Sequence, residues 1–168
     1  RLRGLDHVEL NNLVFDASAA GSDGRVLDLD EGLDGEGADD VTVLNSSFIG
    51  AASGASSNAR ALIWGDVDVH DRFSVTGSTF TDGWAGAYFS DGAGTSGNNL
   101  DAVFAGNTFD GQTAFGLFLG DFGGVVVDGN TFSSSASTAT ASAITTSSSL
   151  GCNQATPLMD PGLLPASP

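Results

Sequence analysis

What most constrains this chain is a phenylalanine that returns in a constant setting at long intervals. Four segments end in a polar step followed by Phe: NSSF (Asn45 to Phe48), GSTF (Gly77 to Phe80), GNTF (Gly106 to Phe109) and GNTF (Gly129 to Phe132), and NLVF ending at Phe15 is a fifth. Seven and five residues before each Phe stand Val8/Leu10, Val41/Val43, Phe73/Val75, Ala102/Phe104 and Val125/Val127, apolar in every case. This is a period-2 strand, a short turn and one inward aromatic, repeated at Phe-to-Phe spacings of 33, 32, 29 and 23 residues.

Between these anchors lies a second apolar patch: Val26 to Leu29, Ala61 to Trp64, Ala87 to Phe89, Leu117 to Leu119 and, more weakly, Ala143 to Ile144. Each unit therefore holds at least two short strands. Unequal spacing around a constant anchor places insertions in loops while the packed rung stays fixed, as in a solenoid. The expectation is an all-β chain, a right-handed parallel β-helix of about five coils. Coils stacked at the ~4.8 Å strand separation make a rod about 24 Å tall. Phe15, Phe48, Phe80, Phe109 and Phe132 form an internal ladder with the Val positions. Asn107 and Asn130, two residues before their Phe, share their place with Ser78, while Asn12 and Asn45 lie three before theirs. Asn suits a bend because its amide tolerates left-handed backbone, and stacked Asn side chains can bond from coil to coil.

Gly, Ser and Thr make up about a third of the 168 residues, which fits many bends rather than disorder, because 11 Phe supply a core. Gly50 to Ala59 and Ser90 to Asn99 read as projecting loops, and Ser133 to Ser149 as a last, frayed coil. Residues 1–150 are expected to form the β-helix and 151–168, with all four Pro, an extended tail or cap. The chain starts directly in rung material, so upstream coils or a neighbouring chain are expected to cover its N-terminal end. The single Cys152 leaves the redox compartment open. A net charge of −16 argues against a nucleic-acid or anionic-membrane partner, and no apolar run is long enough to insert in a bilayer.

The acids supply the candidate chemistry. Asp28 and Asp30 alternate with Leu27 and Leu29, and Asp66 and Asp68 with Val67 and Val69, so both pairs project outward, where close like charges attract a cation. Calcium is the ion that suits hard oxygen ligands without His or Cys clusters. For sugar chemistry, Asp39/Asp40 beside the second rung, Asp71/Arg72 beside the third and Asp101 at the corresponding place in the fourth are best placed, with Trp64 or Trp84 as a stacking platform. Trp84, Asp71, Arg72 and Asp101 are thus the carbohydrate-binding candidates. His7 and His70 precede their rungs and are expected on one face, about 10 Å apart across two coils. No catalytic residue is assigned.

Three resemblances add to this. The segment DGEGADDVT, Asp34 to Thr42, resembles the glycine-rich nonapeptide of secreted calcium-binding β-roll proteins, which implies calcium ligation at Asp34, Gly35, Gly37 and Asp39. The rung pattern with GNTF and NSSF resembles the right-handed parallel β-helix repeat of the pectin-lyase-like superfamily over residues 4 to 145. That scaffold carries polysaccharide lyases, hydrolases, tailspikes and bacterial surface proteins. Its lyases use basic catalytic residues, and this chain has no Lys, leaving Arg60 and Arg72; of the hydrolase signatures only the Asp39-Asp40 doublet has an echo. MDPGLLPASP, Met159 to Pro168, resembles the stretch that closes β-helix domains of exported bacterial surface proteins, which implies the C-terminal part of such a protein. The leading expectation is a noncatalytic secreted or cell-surface solenoid with a structural or adhesive role and a polysaccharide or protein surface partner. Its alternatives are a polysaccharide-binding or calcium-dependent lyase- or hydrolase-like domain and a subunit of a larger surface assembly.

Overall fold

The computed structural model describes residues 1–21, 23–30, 37–52, 58–66, 70–90, 99–120, 122–133 and 142–147. The chain winds through five coils and enters a sixth. Coil 1 contains β1 (Leu2–Arg3), β2 (Glu9–Asn11) and β3 (Val14–Asp16); coil 2 contains β4 (Leu27–Asp30), β5 (Thr42–Leu44) and β6 (Ser47–Ile49). Coil 3 has β7 (Ala61–Asp66), β8 (Ser74–Thr76) and β9 (Thr79–Thr81), preceded by a single 3₁₀ turn at Asn58–Arg60. Coil 4 has β10 (Ala85–Ser90), a two-residue β11 (Asn99–Leu100), β12 (Val103–Ala105) and β13 (Thr108–Asp110). Coil 5 has β14 (Phe115–Gly120), β15 (Phe122–Gly123), β16 (Val126–Asp128) and β17 (Thr131–Ser133), and β18 (Ser142–Ser147) opens coil 6.

Like strands of successive coils pair in parallel. The first sheet runs β1-β4-β7-β10-β14-β18, the second β2-β5-β8-β12-β16 and the third β3-β6-β9-β13-β17, with β11-β15 as a small fourth. This is the right-handed parallel β-helix that the repeat predicts. The register is the one the anchors set. Phe15, Phe48, Phe80, Phe109 and Phe132 pair in sequence across the third sheet. Their rings stack with centroids 4.8, 4.8, 4.6 and 4.9 Å apart and planes within 14° of parallel. In the second sheet, Leu10, Val43, Val75, Phe104 and Val127 form the matching inward column. The second apolar patches supply the first sheet, whose Leu27, Ile63, Ala87, Leu117 and Ile144 align through the core.

The turn between the second and third sheets is two residues long in every coil. Its first position, Asn12, Asn45, Gly77, Gly106 and Gly129, has positive φ throughout (47° to 62°), which only Asn and Gly accept cheaply. Its second position, Leu13, Ser46, Ser78, Asn107 and Asn130, carries a hydrogen-bond ladder. The amides of Leu13 and Ser46 donate to the hydroxyls of Ser46 and Ser78, and those of Ser78 and Asn107 donate to Oδ1 of Asn107 and Asn130. The coil-to-coil amide bonding expected of Asn107 and Asn130 is thus present, extended toward coil 1 by serines.

Candidate functional site

Connections from the first to the second sheet are where the chain gathers charge. Two residues before each second-sheet strand the backbone takes a positive φ: His7 (58°), Asp40 (53°), Arg72 (55°), Asp101 (57°) and Gly124 (80°). The residues just before them stack as well. Asp6 Oδ1 accepts the Asp39 amide (3.3 Å) and Asp39 Oδ1 accepts the Asp71 amide (2.9 Å). Arg72 grips Asp40 through Nε and through Nη2 (3.0 Å), with Asp39 at 3.5 Å and Asp71 at 3.9 Å, while His7 Nδ1 lies 3.3 Å from Asp40. The hydrogen bond to Asp40 holds the Arg72 guanidinium still further above its ordinary value. The same bond, with the charges of Arg72 and His7, holds the Asp40 carboxyl below the usual carboxylate range.

The structure therefore brings Asp39, Asp40, Asp71 and Arg72 together on one edge of the rod. Asp101, one coil on, shares their turn position, and its Oδ1 lies where a side chain on Gly124 would begin. Trp84 is not with them. It precedes β10 at the start of the first-sheet strands, whereas Asp71 and Arg72 follow the far end of β7.

His70 departs from expectation more sharply. It does not share a face with His7, which is 81% exposed; it is buried, and its Nδ1 accepts the amide of Ala38 one coil away (3.1 Å). Burial pushes its pKa down to about 4, against the pull of Asp39 and Asp30, so the imidazole is neutral near pH 7. The reason for the inward turn is packing: His70 lies edge-on to Phe89 and fills the space above Gly65, where a Cβ would sit 2.9 Å from its ring.

The metal candidates are distributed as follows. Asp28 and Asp30 project outward from β4 as expected, and both are taken by arginine: Arg1 lies 2.7 Å from Asp28 and 3.0 Å from Asp30, and Arg3 lies 3.9 Å from Asp30. Gly37 is buried and Asp39 is engaged as above, while Asp34 and Gly35, like Asp68, Cys152 and the tail 151–168, fall outside the described residues. Among the described residues no three His, Cys, Asp or Glu side chains gather so as to hold a metal ion. None of their helices is long and apolar enough to cross a membrane.

A second feature lies on the outer face of the first sheet. Trp64, Tyr88 and Phe118 occupy one outward column, paired in register, with ring centroids 4.8 and 4.5 Å apart and planes within 18° of parallel. Trp84 and Phe115 lean on this stack, edge to face with each other, and Ala61 and Ala85 form its floor. Arg25 lies over Trp64, 4.2 Å from the ring centre. Trp64 thus has Tyr88 against one face and Arg25 against the other, and Tyr88 is covered on both faces, so these two rings offer edges rather than stacking platforms. Taking Trp64 singly, as a stacking platform, conceals this row. The signal was the residue directly after each inward anchor, Ile63-Trp64, Ala87-Tyr88 and Leu117-Phe118, which strand alternation turns outward. Compared with known protein families, curated proteins and solved structures, the chain has no significant match.

Proposed function

We propose that this chain is a noncatalytic β-solenoid of the pectin-lyase-like type, a rigid rod that serves outside the cell or on its surface as a structural or adhesive module. One observation carries the reading: the Asp39 and Asp40 carboxylates are committed to holding coil to coil. A general acid needs a raised pKa and a general base needs a lone pair facing substrate. Asp39 accepts the next coil's amide, and Asp40 is clamped between His7 and Arg72 with its carboxyl held ionised. Support for the pectin-lyase-like type is the use of the GNTF and NSSF repeats as one turn of constant length between two parallel sheets.

The test is turnover by the intact chain on polygalacturonate, alginate and xylan, with calcium and with chelator, read by reducing ends and by unsaturated product absorbance. Retention on such polymers or on cells without turnover supports the reading. Turnover that Asp39→Asn or Arg72→Gln abolishes overturns it. A second reading, a subunit of a larger assembly, is favoured by the outside of coil 1, where Leu5, Leu13 and Val14 are 48%, 39% and 71% exposed. Sedimentation of the chain across a hundredfold concentration range tests it.

A further inference from the structure

The outer aromatic row of the first sheet has a property that internal packing does not require: it holds a cation that meets no acid among the described residues. In a chain with 21 Asp and Glu against five Arg, pairing should be easy. Arg1 and Arg3 meet Asp28 and Asp30, Arg72 meets three aspartates, and Arg60 donates to the Gly21 carbonyl. Among the described residues Arg25 pairs with no carboxylate. Its guanidinium rests on Trp64, and its Nε is buried without a hydrogen-bond partner. Arg25 is only partly buried, and a guanidinium without a counter-charge on so acidic a chain draws a carboxylate from outside to its remaining N–H donors.

We propose that this face docks a protein partner, which lays an apolar segment carrying one carboxylate over the Trp64–Tyr88–Phe118 row so that the carboxylate closes on Arg25. The inference deepens the adhesive reading above and rests on it. Three features favour a protein over a sugar chain. Trp64 and Tyr88 have their faces covered, which removes the platforms a pyranose ring needs, whereas aliphatic side chains pack well on the partly exposed edges of Tyr88, Phe115 and Phe118. Trp, Tyr and Arg together are the composition of interface hot spots. The many uncompensated carboxylates of this chain repel a polymer charged at every unit far more than a segment with one carboxylate. Because β7, β10 and β14 are interior strands, paired on both sides, contact is through side chains and not through strand addition.

The probe is a phage-displayed random 12-residue peptide library, panned on the intact chain and counter-selected against Tyr88→Thr/Phe118→Thr. Threonine is what the same column carries in the last coil, at Thr145. Selected peptides are synthesised and titrated by the emission of Trp64 and Trp84, the two tryptophans of the chain, both within this patch. The expected result is peptides with Asp or Glu between apolar residues, weakened at least about tenfold by Arg25→Gln, the difference vanishing when the peptide carboxylate is replaced by its amide. Arg25→Gln removes no ring, so it decides the matter even where the ring variants unfold; circular dichroism and melting check that its fold is retained. Failure to enrich any peptide, peptides indifferent to Arg25→Gln, or a trigalacturonate that shifts the emission and displaces them would each overturn the proposal. None of these outcomes bears on the absence of catalysis, which the turnover assay addresses separately.

Discussion

Every coil bends both between its second and third sheets and between its first and second, and the two turns solve the same problem differently. The former is always two residues long, and its polar side chains point inward to close the neighbouring coil's backbone. The latter ranges from five residues (4–8 and 121–125) to twelve (91–102), and among its described polar side chains Asp6 and Asp39 accept the next coil's amides while the others pair outward in ion pairs. Backbone groups that lose water must be bonded, so the short turn tolerates only residues that supply those bonds. The ion pairs of the longer turn face solvent, where they add little and their substitution is cheap. Stability is concentrated along one edge of the rod, and freedom to vary along the other.

The inner edge breaks first. Phe80 is fully buried, between the rings of Phe48 and Phe109 at 4.8 and 4.6 Å, so Phe80→Ala removes two stacking contacts and leaves a cavity the rigid coils cannot close. Urea unfolding is expected to show a loss of about 4 kcal/mol. Asn107→Ala comes next. Its Oδ1 accepts the Ser78 amide, and its Nδ2 donates to the Val75 carbonyl and to Asn130 Oδ1, all at 2.9 Å. Losing them costs about 3 kcal/mol in the same measurement. Asn107→Ser is the sharper probe. Serine is what coils 2 and 3 carry, where its hydroxyl serves the neighbouring amide and its proton returns to the chain's own Leu44 or Thr76 carbonyl. The substitution is expected to cost about half as much as Ala, because it gives up the two bonds of Nδ2, to the Val75 carbonyl and to Asn130 Oδ1, but keeps an acceptor for the Ser78 amide.

His70 is the exception that tests the rule, an inward polar anchor in the variable turn. Its folded pKa of about 4 lies below the ordinary 6.5, so the unfolded chain takes a proton that the folded chain refuses. The contribution is fully present above pH 6.5 and is lost as pH falls toward 4, by about 3 kcal/mol at most. Denaturation midpoints at pH 7 and pH 4.5 should differ in the parent. In His70→Gln, whose amide oxygen can still accept the Ala38 N–H, most of that difference should disappear. An unchanged pH dependence would show that other groups dominate acid unfolding.

The contrast between the two turns also explains how much could be read in advance. Phe and Val anchors are visible because an interior column admits few residue types and a fixed two-residue turn keeps them in phase; Asn107 and Asn130 are visible for the same reason. The charged cluster was legible in part: Asp39, Asp40, Asp71 and Arg72 adjoin their rungs, but nothing in a single turn says that the aspartates accept amides from the next coil. His70 was misplaced because turn length varies just before it, and with it the phase that decides inside from outside. Trp64 is legible singly, as a stacking platform, but Tyr88 and Phe118 are hidden by chemistry rather than phase, since an aromatic in a strand is more often core than surface.

The smallest effect belongs to the outer edge. Arg72 is half-exposed (49%) and surrounded by Asp39, Asp40 and Asp71, so Arg72→Gln removes the guanidinium they share. The expected fall in melting temperature is about 1–2 °C at low salt and vanishes near 1 M salt, where exposed charges are screened. Carbon-detected titration should show the Asp40 carboxyl returning toward its ordinary value. Arg72→Gly sharpens the point. It loses the same charge, but glycine adopts the positive φ of this turn freely, as Gly124 does at the same place one coil beyond Asp101. If the turn's side chains contribute as little as their exposure implies, the glycine variant should melt above the glutamine variant at every salt concentration. A glycine variant that melts below it would mean that this edge too is held by its side chains, and the division between the two turns would fail.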